Sequence, residues 1–327
     1  MGYITKYGSF WGMIPQTSGR VFWLAPAASY TVEGRTYNAS DSNDGLSPER
    51  AVLTLSYAVG LTTANVGDVV VLLPGAHTVA AAVTVSTAGI TITGMPGSYP
   101  LHGSNMPGTG PRAKSTITGT ASAVMTLAAA DIEVCYLTVL VITAQSGIVV
   151  NSTAARSYLH DLAIDMRVAS STSTKGILLG NDGLTGPVLD THIRNCYFVA
   201  YGSQGGVIEA TGTASGTIME NLTIQQAFNH TGGATQTVWA NAVLFGSGLH
   251  YNTCIRDVDI FSGNTLASSI TDAFDFVSAT DNQTTAAYRI IIPPNAVFNV
   301  AADTDAALAQ AFISTAGGGA GTSLVPA

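Results

Sequence analysis

The chain has 327 residues, of which 46% are hydrophobic and 10% are charged, and its formal net charge is −8. This composition excludes extensive disorder, because disordered chains are rich in charge and poor in apolar residues. The acidic balance disfavours nucleic-acid binding, and no run reaches the roughly 18 apolar residues of a membrane span, so we expect neither a nucleic-acid partner nor membrane insertion. Residues 1–14 lack the basic and apolar regions of a secretory signal.

An aromatic-rich segment precedes any repeated pattern. Pro15 and Pro26 interrupt regular structure there. Because aromatic side chains are enriched at protein interfaces, we predict that residues 1–45 form an arm outside the main fold that attaches the protein to a partner. The alternative is that the arm folds back onto the main fold as a local cap. The candidate attachment residues are Tyr3, Tyr7, Phe10, Trp11, Phe22 and Trp23.

A short amphipathic helix is predicted within residues 46–64. Ser47 suits the N-cap position, Pro48 suits the first helical position, and Glu49 suits the positive end of a helix. The apolar residues that share one face at helical spacing are Val52, Leu55 and Val59.

Polar residues just before this helix resemble the start of a calcium-binding loop. Asp41, Asn43 and Asp44 precede Gly45, but the twelfth loop position, which should be a bidentate Glu, is Val52. We therefore expect an Asx-rich turn here and no metal site.

Two interleaved series of short β-branched runs fill most of the remaining chain. Because one such coil cannot bury its own apolar face, stacked coils with parallel sheets and a narrow continuous core are predicted, with about six to eight turns between Asp68 and Ile292. The first series follows the pattern apolar–x–Asn/Asp–apolar–x–apolar, and its last positions should stack inside the coil. These positions are Ile164, Phe198, Ile224 and Ile260.

The Asn or Asp of this pattern is predicted to form a corner ladder. Asn and Asp tolerate the left-handed backbone conformation of a sharp turn better than other residues that carry a side chain, and stacked turns can hydrogen-bond through them. A row of catalytic residues is the alternative. The four residues are Asp161, Asn195, Asn221 and Asp257.

Three segments, residues 40–48, 54–58 and 67–78, resemble the start of single-stranded right-handed parallel β-helix proteins of the pectate-lyase-like superfamily. The resemblance implies an all-β solenoid with an amphipathic helix closing its N-terminal end. It is also compatible with lyases, hydrolases, adhesins and structural virion proteins. The predicted domains are an aromatic arm (1–45), a capping helix (46–64), a parallel β-helix (65–295) and a short helix with a Gly-rich tail (296–327), in which Leu308 and Phe312 are further attachment candidates.

Few residues suggest catalysis. The hydrolase motifs of the superfamily are absent, and the remaining candidates are Asp257 and Asp259, two apart on one strand, together with Asp165 from a neighbouring coil. A glycosidase needs two carboxyl groups about 5–9.5 Å apart. The alternative is that these are solvent-facing strand residues, so no catalytic residue is assigned.

Cysteine and histidine residues predict no metal or cofactor site. Cys135, Cys196 and Cys254 are far apart, without a spacing typical of zinc ligands, and are expected to be buried free thiols. His160 and His192 occupy similar places in adjacent repeats and are expected to come close as surface polar residues.

The chain also resembles small bacteriophage β-helix proteins that decorate heads or tails, and this resemblance implies a virion structural protein on the particle surface. We expect a homotrimeric capsid decoration or head-fibre protein that contacts other virion proteins and stabilises the particle or binds host-surface glycans. The alternative is a tailspike-like depolymerase that cleaves bacterial surface polysaccharide. A secreted adhesin is a third interpretation, which the missing secretory signal disfavours.

Overall fold

The chain folds into a parallel β-helix, in which each coil hydrogen-bonds to the coil before and after it. The structure is a computed structural model, and its described part is mostly β with one short α-helix. In this part of the chain, no helix is long and apolar enough to cross a membrane. The described residues are 18–95, 115–120, 123–142, 146–166, 175–180, 186–200, 206–226, 239–246, 250–261, 270–276, 286–292, 297–300, 311–315 and 323–324.

Five short elements precede the first coil. They are β1 (Val21–Leu24), β2 (Ser29–Val32), β3 (Arg35–Asn38), a 3-10 helix at Pro48–Arg50 and α1 (Leu55–Gly60). Strand β1 pairs in parallel with the first strand of the first coil, while β2 and β3 form an antiparallel hairpin. The hairpin buries Tyr30 in the same apolar cluster as Trp23, and the Tyr30 hydroxyl donates to the Pro48 carbonyl.

Eight coils follow within the described residues, and each coil contributes to three faces, named A, B and C in chain order. The first four coils contain β4 (Val69–Leu72), β5 (Gly75–Val79), β6 (Val83–Val85), β7 (Thr91–Gly94), β8 (Ser115–Gly119), β9 (Met125–Leu127), β10 (Glu133–Cys135), β11 (Thr138–Val141), β12 (Ser146–Val150), β13 (Tyr158–His160), β14 (Ala163–Met166) and β15 (Lys175–Leu179). The last four contain β16 (Val188–Leu189), β17 (His192–Arg194), β18 (Tyr197–Ala200), β19 (Ile208–Ala210), β20 (Ala214–Ser215), β21 (Ile218–Gln226), β22 (Trp239–Phe245), β23 (His250–Tyr251), β24 (Cys254–Phe261), β25 (Ile270–Phe276), β26 (Ala286–Ile292) and β27 (Val297–Val300).

The three faces differ in continuity. Face A begins with β4, β7, β10, β13 and β17, face B begins with β5, β8, β11, β14 and β18, and face C runs from β6 through β9, β12, β15, β19, β22 and β25 to β27. In the last three coils, β21, β24 and β26 run from face A into face B and join the two faces into one sheet. Short strands β16, β20 and β23 form a small separate sheet on the way from face C back to face A.

The predicted inner stack is confirmed. Ile164 pairs with Phe198, Phe198 with Ile224, and Ile224 with Ile260, always between parallel strands. All four side chains are completely buried, and they belong to one apolar cluster that runs through the coils. Seven coils and the start of an eighth lie between Asp68 and Ile292, which agrees with the predicted number of turns.

The predicted corner ladder is also confirmed. Asp161, Asn195, Asn221 and Asp257 have φ values of 55°, 51°, 54° and 53°, so each turns the chain between face A and face B in the left-handed conformation. The Asn195 side-chain amide donates to Asp161 Oδ1 at 3.1 Å, and the Asn221 amide donates to Asn195 Oδ1 at 2.6 Å. Stacked turns are thus linked from coil to coil by side chains as well as by backbone hydrogen bonds.

A second ladder of left-handed residues lies at the opposite corner, before face A, and the sequence interpretation missed it. The residues vary in type, so the repeat cannot be recognised in the sequence. Arg156 has the same left-handed backbone conformation as Asp131, and the two side chains pair, with Arg156 Nε 2.6 Å from Asp131 Oδ1. The ladder consists of Gly89, Asp131, Arg156, Asp190, Gly216 and Asn252.

The prediction of an N-terminal arm outside the main fold is wrong for residues 21–24. Strand β1 is the first strand of the largest sheet, Phe22 packs inside the coil, and Trp23 packs under the hairpin. Alternating side chains of one strand fill two separate cores, so the aromatic residues are structural here. Removing residues 1–28 would therefore remove a strand. Tyr3, Tyr7, Phe10 and Trp11 lie outside the described residues.

The capping helix lies within the predicted range but begins later than predicted. Ser47 makes no side-chain cap hydrogen bond, and Pro48 opens the 3-10 helix. Helix α1 begins at Leu55 because the Thr54 hydroxyl accepts a hydrogen bond from Tyr57 N at 3.3 Å. Asp41 Oδ1 in turn accepts hydrogen bonds from the backbone N–H groups of residues 53 and 54 and ties the polar loop to the start of the helix. The predicted Asx turn is formed by Asp44, whose Oδ1 accepts from Leu46 N at 3.2 Å.

The C-terminal region differs from the predicted short helix. Residues 311–315 form strand β28 (Ala311–Thr315), which pairs in parallel with β26 and extends the solenoid past residue 295. The run Phe-Ile-Ser-Thr is rich in the β-branched and aromatic residues that favour strands, and pairing with an existing edge overrides the Ala-rich helix pattern before it. Phe312 lies in this strand, whereas Leu308 lies outside the described residues. Strand β29 (Ser323–Leu324) pairs with β28 in the antiparallel direction.

Replacing Leu222 with Asp should destabilise the fold severely. Leu222 is completely buried in the coil core, where a carboxylate would have no partner, and we expect a loss of more than about 4 kcal/mol in the free energy of unfolding. The matched control is Leu189→Asp, because Leu189 is 37% exposed and this change should cost less than about 1 kcal/mol. Urea unfolding of both variants measures the difference, and equal stabilities would contradict the assigned core.

Asp68 should make the fold sensitive to acid. Its carboxylate accepts hydrogen bonds from Arg20 N at 2.6 Å and Thr63 N at 2.8 Å, and it pairs with the Arg20 guanidinium at 3.1 Å. Burial alone would raise the pKa of Asp68, but these donors outweigh burial and lower the pKa below its usual value. The stabilisation is therefore complete above the unfolded-state pKa and is lost as the pH falls through the lower folded-state pKa.

Asp68→Asn tests this interpretation. We expect it to lower the free energy of unfolding at pH 7 by about 1–3 kcal/mol and to flatten the dependence of stability on pH below about pH 4. Asp44→Asn is the control, because Asp44 forms an exposed pair with Arg50 that contributes little. Parallel pH profiles for wild type and Asp68→Asn would show that Asp68 is not the acid-sensitive group.

Candidate functional site

The outer surface of face A carries a row of polar and aromatic side chains from the second coil to the seventh. Strand alternation explains it: the middle residue of each strand, such as Val134, Leu159 or Ile193, points into the core, and its two neighbours point outward. We name this surface the polar strip. Its residues are Thr91, Glu133, Cys135, Tyr158, His160, His192, Arg194, Glu220 and Arg256.

The parallel register arranges the strip as two lines across the coils. The first line passes from Glu133 to Tyr158 to His192. The second line starts at Cys135 and passes through His160 to the arginine and glutamate residues of later coils. Neighbouring residues in a line are one strand spacing apart, about 4.8 Å between backbones, so consecutive side chains touch.

His160 is the centre of the N-terminal half of the strip. Its Nδ1 lies 2.7 Å from Asp161 Oδ2, and its Nε2 lies 2.7 Å from Glu133 Oε1. The Thr91 hydroxyl donates to the other Glu133 oxygen, Oε2, at 2.8 Å. Burial by itself would lower the pKa of His160, but its hydrogen bonds with Asp161, Cys135 and Glu133 raise the pKa to about 12.

Aromatic rings join the two halves of the strip. The Tyr158 ring stacks between the imidazoles of His160 and His192, with centroid distances of 4.2 Å and 4.9 Å. Each imidazole contacts the tyrosine ring and His160 is in register with Arg194, so a direct pairing of the two histidines is not observed. The prediction that His160 is a surface residue is wrong, because its side chain is buried. This stack fixes all three rings.

Glu220 is the centre of the C-terminal half. Its Oε1 lies 3.1 Å from Arg194 Nε and 3.2 Å from His192 Nε2, and its Oε2 accepts from the Arg256 guanidinium. Burial would raise the pKa of Glu220, but the Arg256 hydrogen bond and the surrounding cations lower it. Burial is the main cause that lowers the pKa of His192, and the two arginines lower it further. Together they outweigh Glu220, which raises this pKa. His192 is therefore neutral at pH 7, and the two arginines give this half of the strip a positive charge.

The carboxylates that the sequence suggests for catalysis do not gather into one group of three. Asp257 is a corner residue that pairs with Arg289 at 2.6 Å. Asp259 lies on face B in β24, and Asp165 is buried on face B in β14. Strands β18 and β21 lie between β14 and β24, and the two residues are also two positions out of register. The backbones of Asp165 and Asp259 are therefore more than about 14 Å apart, beyond the separation that glycosidases use.

Cys135 and His160 do not form an activated nucleophile. The Cys135 side chain is completely buried, and burial raises the pKa of its thiol, which the hydrogen bond with His160 offsets only in part. Both ring nitrogens of His160 lie 2.7 Å from carboxylate oxygens, which favour a proton on each nitrogen, so the imidazole does not take up the thiol proton as a base would. The strip is better suited to binding than to covalent catalysis.

Sequence reasoning missed the polar strip because its neighbours in successive coils are 25 to 42 residues apart along the chain and meet only through the parallel register. A signal was present: polar residues stand two apart, around one apolar residue, immediately before the corner position of successive repeats. The clearest of these pairs is His192 and Arg194, directly before the corner residue Asn195.

Comparison with known proteins finds similarity only to solved structures, at low identity. No family model and no curated protein matches this chain. Among solved structures it is similar to pectin methylesterase PemA from Erwinia chrysanthemi (10% identity, 86% of this chain and 81% of that chain, TM-score 0.48) and to pectate lyase Pel9A (11% identity, 87% and 80%, TM-score 0.46). A protein described as Geobacillus virus E2 ORF18 is also similar (7% identity, 80% and 57%, TM-score 0.34). With TM-scores below 0.5, these similarities decide neither fold nor activity, and the parallel β-helix rests on the strand pairing of this chain itself.

Thiol reactivity should distinguish a binding surface from a nucleophilic site. Cys135 and Cys196 are buried, and burial raises the pKa of both thiols, that of Cys196 to about 12. Cys254 is only partly buried. In native protein, a thiol reagent such as dithiobis(nitrobenzoate) should therefore modify Cys254 at most, and all three thiols should react after unfolding.

The control for this experiment is Cys254→Ser, in which the reaction of the native protein should disappear. Rapid modification that persists in Cys254→Ser would identify Cys135 or Cys196 as an activated thiol. That result would favour an enzyme.

Proposed function

We propose that this protein is a non-catalytic structural β-helix of a bacteriophage particle, and that it binds an acidic glycan of the host surface through the C-terminal half of the polar strip. The observation that carries the proposal is the concentration of charge there. In a chain with only 10% charged residues, two arginines, a histidine and a glutamate converge on one outer face. Partial desolvation of these charges costs free energy, so their convergence on one face favours a role in recognition over one in stability.

The chemistry of this half suits a ligand with a carboxylate or a similar anionic group. The Arg194 and Arg256 side chains are 49% and 39% exposed, while Glu220 between them is only 9% exposed and fixes their positions. A guanidinium has five donors and binds carboxylates in a bidentate manner, so two preplaced guanidinium groups form a rigid anion-binding pair. Pre-organisation of this kind lowers the entropy cost of binding.

A binding function without cleavage is supported by the arrangement of the acidic groups. Within the polar strip, Glu133 and Glu220 lie three strands apart, about 14 Å, and each is engaged by cationic partners. Glu133 and Asp161 are closer, but the His160 imidazole lies between them, so no sugar can. Asp165 and Asp259 are also too far apart for the mechanism that glycosidases use.

The virion assignment rests on the character of the rest of the surface. A durable solenoid with low charge suits a shaft or decoration exposed to the environment, and we propose a homotrimer attached to other virion proteins. The attachment surface is expected in residues 1–17 or near the C-terminus, because Phe22 and Trp23 are part of the fold.

Glycan binding can be tested with a matched pair of double variants. Arg194→Ala/Arg256→Ala should weaken binding to purified acidic capsule or lipopolysaccharide by about tenfold or more, since each charge-assisted contact contributes about 1.5–3 kcal/mol. Arg35→Ala/Arg50→Ala removes the same charge from the hairpin and the 3-10 helix and should bind like wild type. Surface plasmon resonance gives the affinities.

Two results would overturn the binding proposal. Equal affinity of both double variants would show that the strip is not the binding surface. Release of new reducing ends or unsaturated sugars from the polysaccharide would establish a depolymerase instead.

The virion assignment has its own test. Deletion of residues 1–17 leaves β1 intact, so the variant should keep the circular dichroism of wild type. Light scattering should show that the wild-type protein is a trimer in solution. The truncated protein should be depleted from purified virions. A folded monomer, together with normal incorporation of the truncated protein, would contradict both the trimer and the N-terminal attachment.

A further inference from the structure

Three potential metal ligands of different chemistry meet in the N-terminal half of the polar strip. Glu133 and Cys135 come from β10, and His160 comes from β13. One carboxylate oxygen, the Cys135 sulfur and one imidazole nitrogen all lie within 4.8 Å of one another. Cys135 and His160 are buried, while the Glu133 side chain is 30% exposed, so the group has a protected floor and one side open to solvent.

The surroundings of these residues are those of a supported metal ligand set. Asp161 Oδ2 lies 2.7 Å from His160 Nδ1, which leaves Nε2 directed at Glu133. Metal-bound histidines commonly use the second ring nitrogen in this way, toward a carboxylate that orients the ring and raises its basicity. The Thr91 hydroxyl holds Glu133 Oε2 at 2.8 Å, so the second ligand is also oriented by a neighbour.

From this geometry we propose that Glu133, Cys135 and His160 bind one divalent transition-metal ion of the zinc class. Imidazole nitrogen, thiolate sulfur and carboxylate oxygen are the ligands that zinc takes in proteins. In a tetrahedral zinc site these atoms lie about 3.3–3.8 Å apart, so small side-chain movements complete the site. The ion takes the place of the protons on the thiol and on Nε2, which leave to solvent. The fourth position faces the exposed side of Glu133 and is open to water or a ligand oxygen.

The other half of the strip shows why the site is specific. His192 Nε2 and Glu220 Oε1 also approach, at 3.2 Å, but Arg194 and Arg256 surround that carboxylate. Two fixed guanidinium charges repel a divalent cation and occupy the carboxylate oxygens. In the N-terminal half, His160 and Thr91 hold the Glu133 carboxylate in the positions that the two arginines take at Glu220, and a thiol lies beside it, so we expect the metal ion in this half of the strip. The proposal is independent of glycan binding.

Cobalt(II) and zinc(II) provide the test on the full-length protein. After equilibration with excess metal and removal of unbound ion, wild type should retain one metal per chain by elemental analysis. The cobalt form should show a thiolate-to-cobalt charge-transfer band and the intense visible bands of tetrahedral cobalt. Zinc should also raise the thermal unfolding midpoint, because the ion binds only the folded chain.

Cys135→Ala is the decisive variant, because removal of a neutral buried thiol leaves no buried charge unpaired. It should weaken metal binding at least 100-fold and abolish the charge-transfer band and the zinc-dependent stabilisation. Cys254→Ala and His192→Gln change the same face and should keep all three signals. His160→Gln should behave like Cys135→Ala if it folds, which its circular dichroism without metal shows.

The site is refuted if wild type retains less than one metal per chain after micromolar exposure. It is also refuted if Cys135→Ala keeps the charge-transfer band, or if Cys254→Ala loses it. Metal binding that disappears only in His192→Gln would move the site to the other half of the strip and overturn the assignment.

Discussion

The structure depends on one constraint, the in-register parallel pairing of each coil with the next. Once the backbone of one coil hydrogen-bonds to the backbone of its neighbour, every equivalent position forms a line along the solenoid. Apolar positions then form a continuous core, left-handed residues form corner ladders, and outward positions form surface lines. A single substitution therefore acts on its neighbours in the coils above and below, and only weakly on the rest of the chain, as expected for a solenoid.

The sequence predicts those parts of the fold in which side chains of one chemical kind recur at the same place in the motif. The stack that contains Phe198 and the ladder that contains Asn195 could be found because each repeats a recognisable side chain at the same place in the motif. The second corner ladder could not be found in this way, since Gly89 and Arg156 have nothing in common except their backbone conformation. Strand β1 could not be predicted for a related reason, because it lacks the repeated motif. Its aromatic residues fill two different cores, and a strand of only four residues is too short to show this in its pattern of apolar residues. The helix start was shifted because the cap that decides it, Thr54, depends on a tertiary contact with Asp41.

The candidate site was beyond the reach of sequence patterns for a physical reason. Its groups interact across strands, at sequence separations that vary with the length of the loop in each coil, so no spacing rule links them. Residue types alone also do not reveal that Glu133 and Asp161 both contact the His160 imidazole. Nor do they reveal that Glu220 pairs with two arginines. What the sequence does supply is the register. Given the repeat, aligning the residues on either side of the inward apolar position places His160 beside Cys135 and Arg194. The strip could have been predicted from the coil alignment, although its hydrogen bonds could not.

Asp161 belongs to both the corner ladder and the candidate site, so it has a structural role and also orients a residue of the site. One oxygen, Oδ1, accepts a hydrogen bond from the Asn195 amide in the next coil, and the other, Oδ2, holds His160 Nδ1. The left-handed turn that reverses the chain between faces A and B therefore also fixes the direction in which the imidazole points. An asparagine at this position would keep the turn and one acceptor, but it would lose the charge that orients His160. The aspartate in this coil, where two following coils have asparagine, is thus explained by the site that lies beside it.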